Sequence, residues 1–400
     1  MKMKMLAAWV FGVTIIVVTL YPWVNGLSAV APPQSAPQPS EVRQSKIEVV
    51  FVLDTTGSMG GLIAAAKEKI WSIATSMAAA ETQTDIRMGL VAYRDRGDDY
   101  VTQVVDLSED LDTMYSTLMD FQANGGGDGP ESVNQALDDA IHKISWSNPE
   151  QNVYRVVFLV GDAPAHMDYP DDIKYPDSLA AAAKKGIVVN AIQCGENSET
   201  SASWQQIAQL GYGKYFQVEQ GGNAVAVKTP YDEKLAELSA NLDSTRLYYG
   251  STEEKAEKAR KLKATDKLHA AASVESQARR AAFNASKSGK ANSFGKGDVV
   301  DDVRSGRVQL EKIDRDALPE PMQTMPAAEQ KALIQEKTEQ RKKLQNEIQE
   351  LAEQRTDYLK KQVEESGVAK HSLDRRLFDV VREQATKKGL VYSSKAEPAY

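Results

Sequence analysis

The segment Ile47 to Leu53 (IEVVFVL) is almost continuously apolar and β-branched. Such a run lacks the alternation of a half-exposed strand and suits one covered on both faces. Similar runs recur at Ile86 to Tyr93, Tyr154 to Val160 and Ile187 to Gln193. Between them the period changes. Leu62, Ala66, Ile70, Ile73 and Met77 recur at helical spacing and predict a helix over 59–77. Further helices are predicted over 111–121, 131–144, 179–185 and 204–210. Residues 100–107 alternate and are polar enough for an edge strand, and 214–218 read as a last short strand. Strands alternating with helices imply βαβ units, so the fold class is α/β with a doubly wound, mostly parallel sheet.

The flanks have other patterns. Lys2 and Lys4 precede an uncharged stretch that reaches Glu41, and Leu6 to Val24 within it is mostly apolar. A basic start before an apolar run is an export signal. Ala29-Val30-Ala31 has the form of a cleavage site, Pro32 after it opposes cleavage, and the apolar run approaches the ~20 residues that span a bilayer. Residues 1–31 therefore read as a signal peptide or an uncleaved membrane anchor. Either one exports the rest of the chain, to the periplasm or to an anchored position facing outward. Residues 32–45 read as a Pro/Gln/Ser linker, 46–228 as the α/β unit and 229–400 as a helical tail with loops near 288–326. In the long polar helix expected over 327–365, Ile334, Leu344, Ile348, Leu351 and Tyr358 approximate a coiled-coil seam. That seam suits a hairpin packed on itself, or a partner, including a second copy of the chain.

Composition narrows the chemistry. The 400 residues carry 48 basic and 56 acidic side chains, a net charge of −8, and the acidic excess lies in the α/β part. That disfavours nucleic acid as a partner and suits a cation. A single cysteine, Cys194, excludes an intrachain disulfide and any Cys-based metal cluster, and it reads as a small buried hydrophobe. The four histidines show no HExxH spacing.

Two segments concentrate oxygen donors. Asp54-Thr55-Thr56-Gly57-Ser58 follows the first apolar strand, and Gly161-Asp162-Ala163-Pro164 follows the strand that ends at Val160. Open α/β sheets bind ligands at such strand ends, where neighbouring strands lead to helices on opposite faces. Asp54, Thr56 and Ser58 lie at i, i+2 and i+4, Asp162 adds a second carboxylate, and Asp128, in the glycine-rich loop, adds a third. An all-oxygen set fits a hard cation, and a small octahedral site fits Mg²⁺. Plain helix capping by Asp54, Thr56, Ser58 or Asp128 is the competing reading. His166, Asp168, Asp171 and Asp172 form either a rim to the site or a solvated acidic loop, and Arg94, Asp95 and Arg96 read as surface ion pairs.

Asp54-x-Thr56-x-Ser58, followed in order by GGGDGPES and LVGDAPAH, resembles the von Willebrand factor A family and its metal-ion-dependent adhesion site. The wording is similar to a bacterial branch of that family, and the resemblance covers about residues 45–220. It implies a Rossmann-like fold in which the Thr56 and Ser58 hydroxyls bind the metal directly, and Asp54 and Asp162 bind it directly or through water. The metal is Mg²⁺ (or Mn²⁺ or Ca²⁺), with one position open to a partner's oxygen donor. Where the family's third loop has a threonine ligand, Asp128 stands. Another carboxylate there would hold the cation tighter and draw an acidic partner less; with Asp128 turned away, Gly126 and Gly127 would leave water as the ligand.

The function expected is an exported, non-catalytic module that binds a protein partner at its metal face. One alternative is an assembly protein that acts through its tail. Another is a serine hydrolase, since Thr56-Gly57-Ser58-Met59-Gly60 nearly matches a nucleophile elbow, with Ser58 as nucleophile and His166 as base. That scheme leaves Asp54 without a role.

Overall fold

The computed structural model describes residues 45–393 apart from 82, 128, 149–152, 222–226 and 367–372. Asp128, the 1–31 export segment and nearly all of the linker lie outside the described residues. Among the described residues no helix is long and apolar enough to cross a membrane.

The apolar runs become the strands of one sheet: β1 (Ser45–Asp54), β2 (Thr84–Tyr93), β3 (Thr102–Ser108), β4 (Val153–Gly161), β5 (Ile187–Cys194) and β6 (Tyr212–Val218). Their order is β3-β2-β1-β4-β5-β6. All neighbours are parallel except β2 and β3, so the polar, alternating strand is the antiparallel edge. Every residue of β4 is buried, as expected for a strand covered on both faces.

The connecting helices are α1 (Gly60–Ala78), α2 (Leu111–Asp120), α3 (Val133–His142), α4 (Tyr175–Lys184) and α5 (Ser198–Leu210). Several boundaries differ from the sequence pattern, among them the start of α4 at Tyr175, and two of the differences have a clear local reason. Helix α5 starts earlier because the Asn197 side chain accepts the Glu199 and Thr200 N–H groups. Helix α3 starts later because the Glu131 backbone is engaged elsewhere: its N–H donates to Pro164 O (2.9 Å) and its carbonyl accepts from His166 N–H (3.0 Å). Helices α1 and α2 cover one face of the sheet, and α3, α4 and α5 cover the other. The adjacent strands β1 and β4 therefore lead to opposite faces, which opens a crevice at their carboxyl ends.

The tail contains α6 (Asp232–Asp243), α7 (Thr252–Ala271), α8 (Val274–Ala285), the short α9 (Lys290–Ser293), α10 (Val299–Arg304) and α11 (Glu320–Gln323), then α12 (Ala327–Ser366) and α13 (Leu373–Thr386). It does not stand apart: residues 44–400 form one compact unit. Along the α12 seam, Ile348 is buried with Leu344 and Leu351 against α6 and α8, and Tyr358 meets Tyr231 edge-on. The seam is occupied within the chain, which explains its short heptad run.

A buried polar cluster joins tail and sheet layer. On α2, Asp112 accepts both arms of the Arg280 guanidinium from α8 (2.7 and 2.5 Å) and the Thr265 hydroxyl from α7 (2.9 Å). Arg280 also donates to Asp243 of α6 (2.7 Å). Burial opposes the Asp112 charge, but Arg280, Lys261 and Arg246 outweigh it and hold the carboxyl well below its ordinary value.

The last helix completes the sheet. Leu377, Val380, Val381 and Ala385 of α13 join the core that α1 and α2 form on the first face. Gln384 reaches the strands themselves: its Oε1 accepts from the Tyr154 hydroxyl (2.7 Å) and its amide donates to Asn190 Oδ1 (2.8 Å). Asp374 pairs with buried Lys69 of α1 at 2.9 Å.

Two outcomes follow from these contacts. Asp112→Asn should cost ~3–5 kcal/mol at pH 7, because it leaves buried guanidinium charge uncompensated. Asp112 has a depressed pKa in the folded state. Its contribution is therefore complete above the unfolded carboxyl pKa of ~3.9 and is lost as pH falls through the folded value. Urea unfolding at pH 7 and pH 3 should show a large gap between parent and variant that narrows in acid; an equal gap at both pH values contradicts this. Gln384→Ala should cost ~1–3 kcal/mol in the same assay, since it leaves the Tyr154 hydroxyl and the Asn190 side chain without their partner.

Candidate functional site

Asp54 is the last residue of β1 and is fully buried. The backbone then turns sharply. Asp54 Oδ1 accepts both the Thr56 N–H (2.9 Å) and the Thr56 hydroxyl (2.7 Å), which folds residues 54–56 onto one point. Thr56 Oγ1 and Ser58 Oγ lie 3.5 Å apart. This turn is stitched to the glycine-rich loop by Asn124 N–H to Thr55 O (3.1 Å) and Gly57 N–H to Gly125 O (3.2 Å). The Thr56 side chain makes no capping hydrogen bond to the short 57–59 turn, nor does the residue before α1 cap that helix. The capping reading of Thr56 therefore fails, and its hydroxyl meets the other oxygen donors instead.

Asp162 follows β4, next to β1 in the sheet, so the topology brings Asp54, Thr56, Ser58 and Asp162 to one place. Gly161 keeps the approach close. A Cβ there would lie 2.4 Å from the Tyr93 hydroxyl and 3.1 Å from Asp54 Oδ2. The Asp162 carboxylate accepts from Gln220 Nε2 at 2.6 Å.

The third loop delivers a residue that the sequence reading assigned only to the start of a helix. Glu131 is 4% exposed, and its side chain lies across Gly126 from Thr56: a Cβ on Gly126 would be 3.2 Å from Glu131 Oε1 and 3.3 Å from Thr56 Cβ. The signal that could have found it is the pattern Pro130-Glu131-Ser132 before the helix, which puts an acid at the loop's exit into α3.

Electrostatics set this group apart. Burial raises the Asp54 carboxyl to about 7, with the Asp162 charge adding to the shift and the Thr56 hydrogen bonds opposing it. Burial raises Glu131 to about 9, helped by Asp54, Asp95, Asp98 and Asp162. The charges that act most on each are other carboxylates. Asp54 Oδ2, Glu131 Oε2 and the Tyr93 hydroxyl are buried with no hydrogen-bond partner. Among the described residues no three His, Cys, Asp or Glu side chains form a metal-ligand group by themselves. The donors that meet are a mixture of carboxylates and hydroxyls. That set, with its orphaned carboxylate oxygens, fits a hard divalent cation.

Of the three residues read as surface ion pairs, Arg96 forms such pairs, whereas Arg94 and Asp95 are buried and have structural roles. Arg94 and Asp95 are each only 5% exposed. Arg94 donates to Thr55 O (3.2 Å) and Gln122 O (2.9 Å), pinning both loops. Asp95 accepts from the hydroxyls of Ser132 (2.9 Å) and Tyr169 (3.0 Å). Arg96 is more exposed and pairs with Asp171 and Asp172. The two ring nitrogens of His166 face Asp95 and Asp168, at 3.3 and 2.8 Å, and its ring stacks on Tyr169, so neither nitrogen is directed at Ser58. Cys194 is buried, and burial pushes its thiol pKa up.

Residues 48–229 match the family model of the von Willebrand factor A domain. An alpha-protein kinase, vwkA, of Dictyostelium discoideum is 28% identical over 30% of this chain and 19% of its own length. A putative ariadne-like RING finger protein of Acanthamoeba polyphaga mimivirus is 22% identical over 46% of this chain and 20% of its own. The chain thus spans about a fifth of each of these curated relatives. Among solved structures, a von Willebrand factor type A protein from Catenulispora acidiphila is 19% identical, with 44% of this chain and 39% of that chain covered and a TM-score of 0.34. The SpRpn10 VWA domain is 14% identical, with 45% and 89% covered and a TM-score of 0.33. Residues 48–229 of this chain belong to the von Willebrand factor A domain family.

Proposed function

We propose that this protein is a non-catalytic binding module that holds a divalent cation, Mg²⁺ by preference, and offers it to a protein partner. Von Willebrand factor A domains are in general protein-interaction modules, which sets the class. The observation that carries the reading is the buried, partnerless Asp54 Oδ2 among Thr56, Asp162 and Glu131. Like charges buried together without a counter-charge are unfavourable, and a bound cation removes that penalty.

Asp54, Thr56, Ser58 and Asp162 would hold the metal, with Glu131 as the acid from the third loop. The metal, when bound, supplies an electrophilic position open to an oxygen donor. The chain's own residues fix the ring of donors: Thr56 is oriented by Asp54, and Arg94 locks the two loops behind it. A third carboxylate makes the site more negative than one built on a threonine, so a neutral oxygen donor suits it better than an acidic one. Export of the domain is part of the proposal and rests on the basic, then apolar, start of the chain.

Thermal melts of the full chain in chelator and in millimolar Mg²⁺ test the reading. A ligand at ~100 times its dissociation constant adds ~2.7 kcal/mol to the native state, a midpoint rise of a few degrees. The parent should show that rise, Asp54→Ala should lose it, and Glu131→Gln should show a smaller one. A parent midpoint unmoved by Mg²⁺ or Mn²⁺ would sink the proposal.

A further inference from the structure

The carboxamide of Gln220, just beyond β6, spans two of the loops that carry the metal donors. Its single Nε2 donates to Asp162 Oδ2 at 2.6 Å and to Ser58 O at 3.3 Å. One amide nitrogen thus links the turn after β1 to the turn after β4. The other end of the carboxamide is also seated. Gly195, at φ +72°, has its hydrogen where a Cβ would lie 2.5 Å from Gln220 Oε1, so the absence of a side chain there makes room for the group. Gly195 is itself fixed by its N–H to Val218 O (2.9 Å), and Gln217 Nε2 donates to its carbonyl (2.8 Å).

From this geometry we infer that Gln220 is a positioning residue for the cation: it clamps Asp162 against the Ser58 loop so that their donors stand ready together. The inference rests on the metal-binding reading above. The chemistry of the side chain suits the task. A carboxamide donates hydrogen bonds to Asp162 without bringing a positive charge that would repel a metal. A carboxylate oxygen that accepts one N–H keeps further lone-pair directions free. Hydrogen bonds that orient metal-ligating carboxylates are worth roughly 10–100-fold in metal affinity when removed.

The test is Mn²⁺ binding to the full chain, followed by the paramagnetic resonance signal of the free ion, with melts in chelator alongside. Gln220→Met keeps length and packing but removes both donors. It should weaken Mn²⁺ binding about tenfold while leaving the midpoint in chelator unchanged. Gln220→Lys should weaken it further, because its ammonium would satisfy Asp162 and repel the ion. If the parent binds Mn²⁺ and Gln220→Met binds it equally well, the clamp is refuted and the metal reading stands. A parent that binds no Mn²⁺ overturns both. A Gln220→Met variant that loses affinity and chelator stability together assigns Gln220 to the fold alone and also overturns the inference.

Discussion

A parallel sheet that is apolar on both faces must be covered on both faces, and much of this molecule follows from that requirement. Helices α3, α4 and α5 close one side with segments drawn from the α/β unit itself. On the other side α1 and α2 share the core with α13, which enters from the far end of the chain. The same constraint makes β1 and β4 diverge to opposite layers. It thereby creates the crevice in which Asp54 and Asp162 meet.

The tail is tied to this sheet by charge as much as by apolar contact. Asp112, Arg280 and Asp243 come from three helices and satisfy one another away from water. Such a cluster adds little net stability compared with an apolar core of the same shape, but each member makes removal of the others costly. It fixes which helix faces α2. The group of Asp54, Glu131 and Asp162 has the opposite character: burial and neighbouring carboxylates both raise the Asp54 and Glu131 carboxyls, and Asp54 Oδ2 and Glu131 Oε2 are buried without a hydrogen-bond partner.

The alternation of apolar runs and helical periods was enough to read the fold class of the α/β unit, though not its strand order, and the edge position of β3 followed from its polarity. That Asp54, Thr56, Ser58 and Asp162 would lie together was legible because they follow the carboxyl ends of two apolar strands. The placement of Glu131 beside them was not, because it comes from the backbone bridge to Pro164 and His166, a pairing between loops that no local pattern records. The α12 seam was legible as apolar spacing, but spacing does not say whether the complementary surface lies in the same chain. Here Leu344, Ile348 and Leu351 find it on α6 and α8. The part played by Gln384 was equally hidden, since its partners Tyr154 and Asn190 lie about two hundred positions upstream.

That last separation has a kinetic meaning. The sheet cannot finish burying its first face until α13 has been synthesised, so the strands made early must wait for a helix made late. Contacts of such long range slow folding and leave apolar surface uncovered in the interval. The separation also means that a nascent chain that stops before α13 lacks the helix that seals its core and keeps apolar surface exposed.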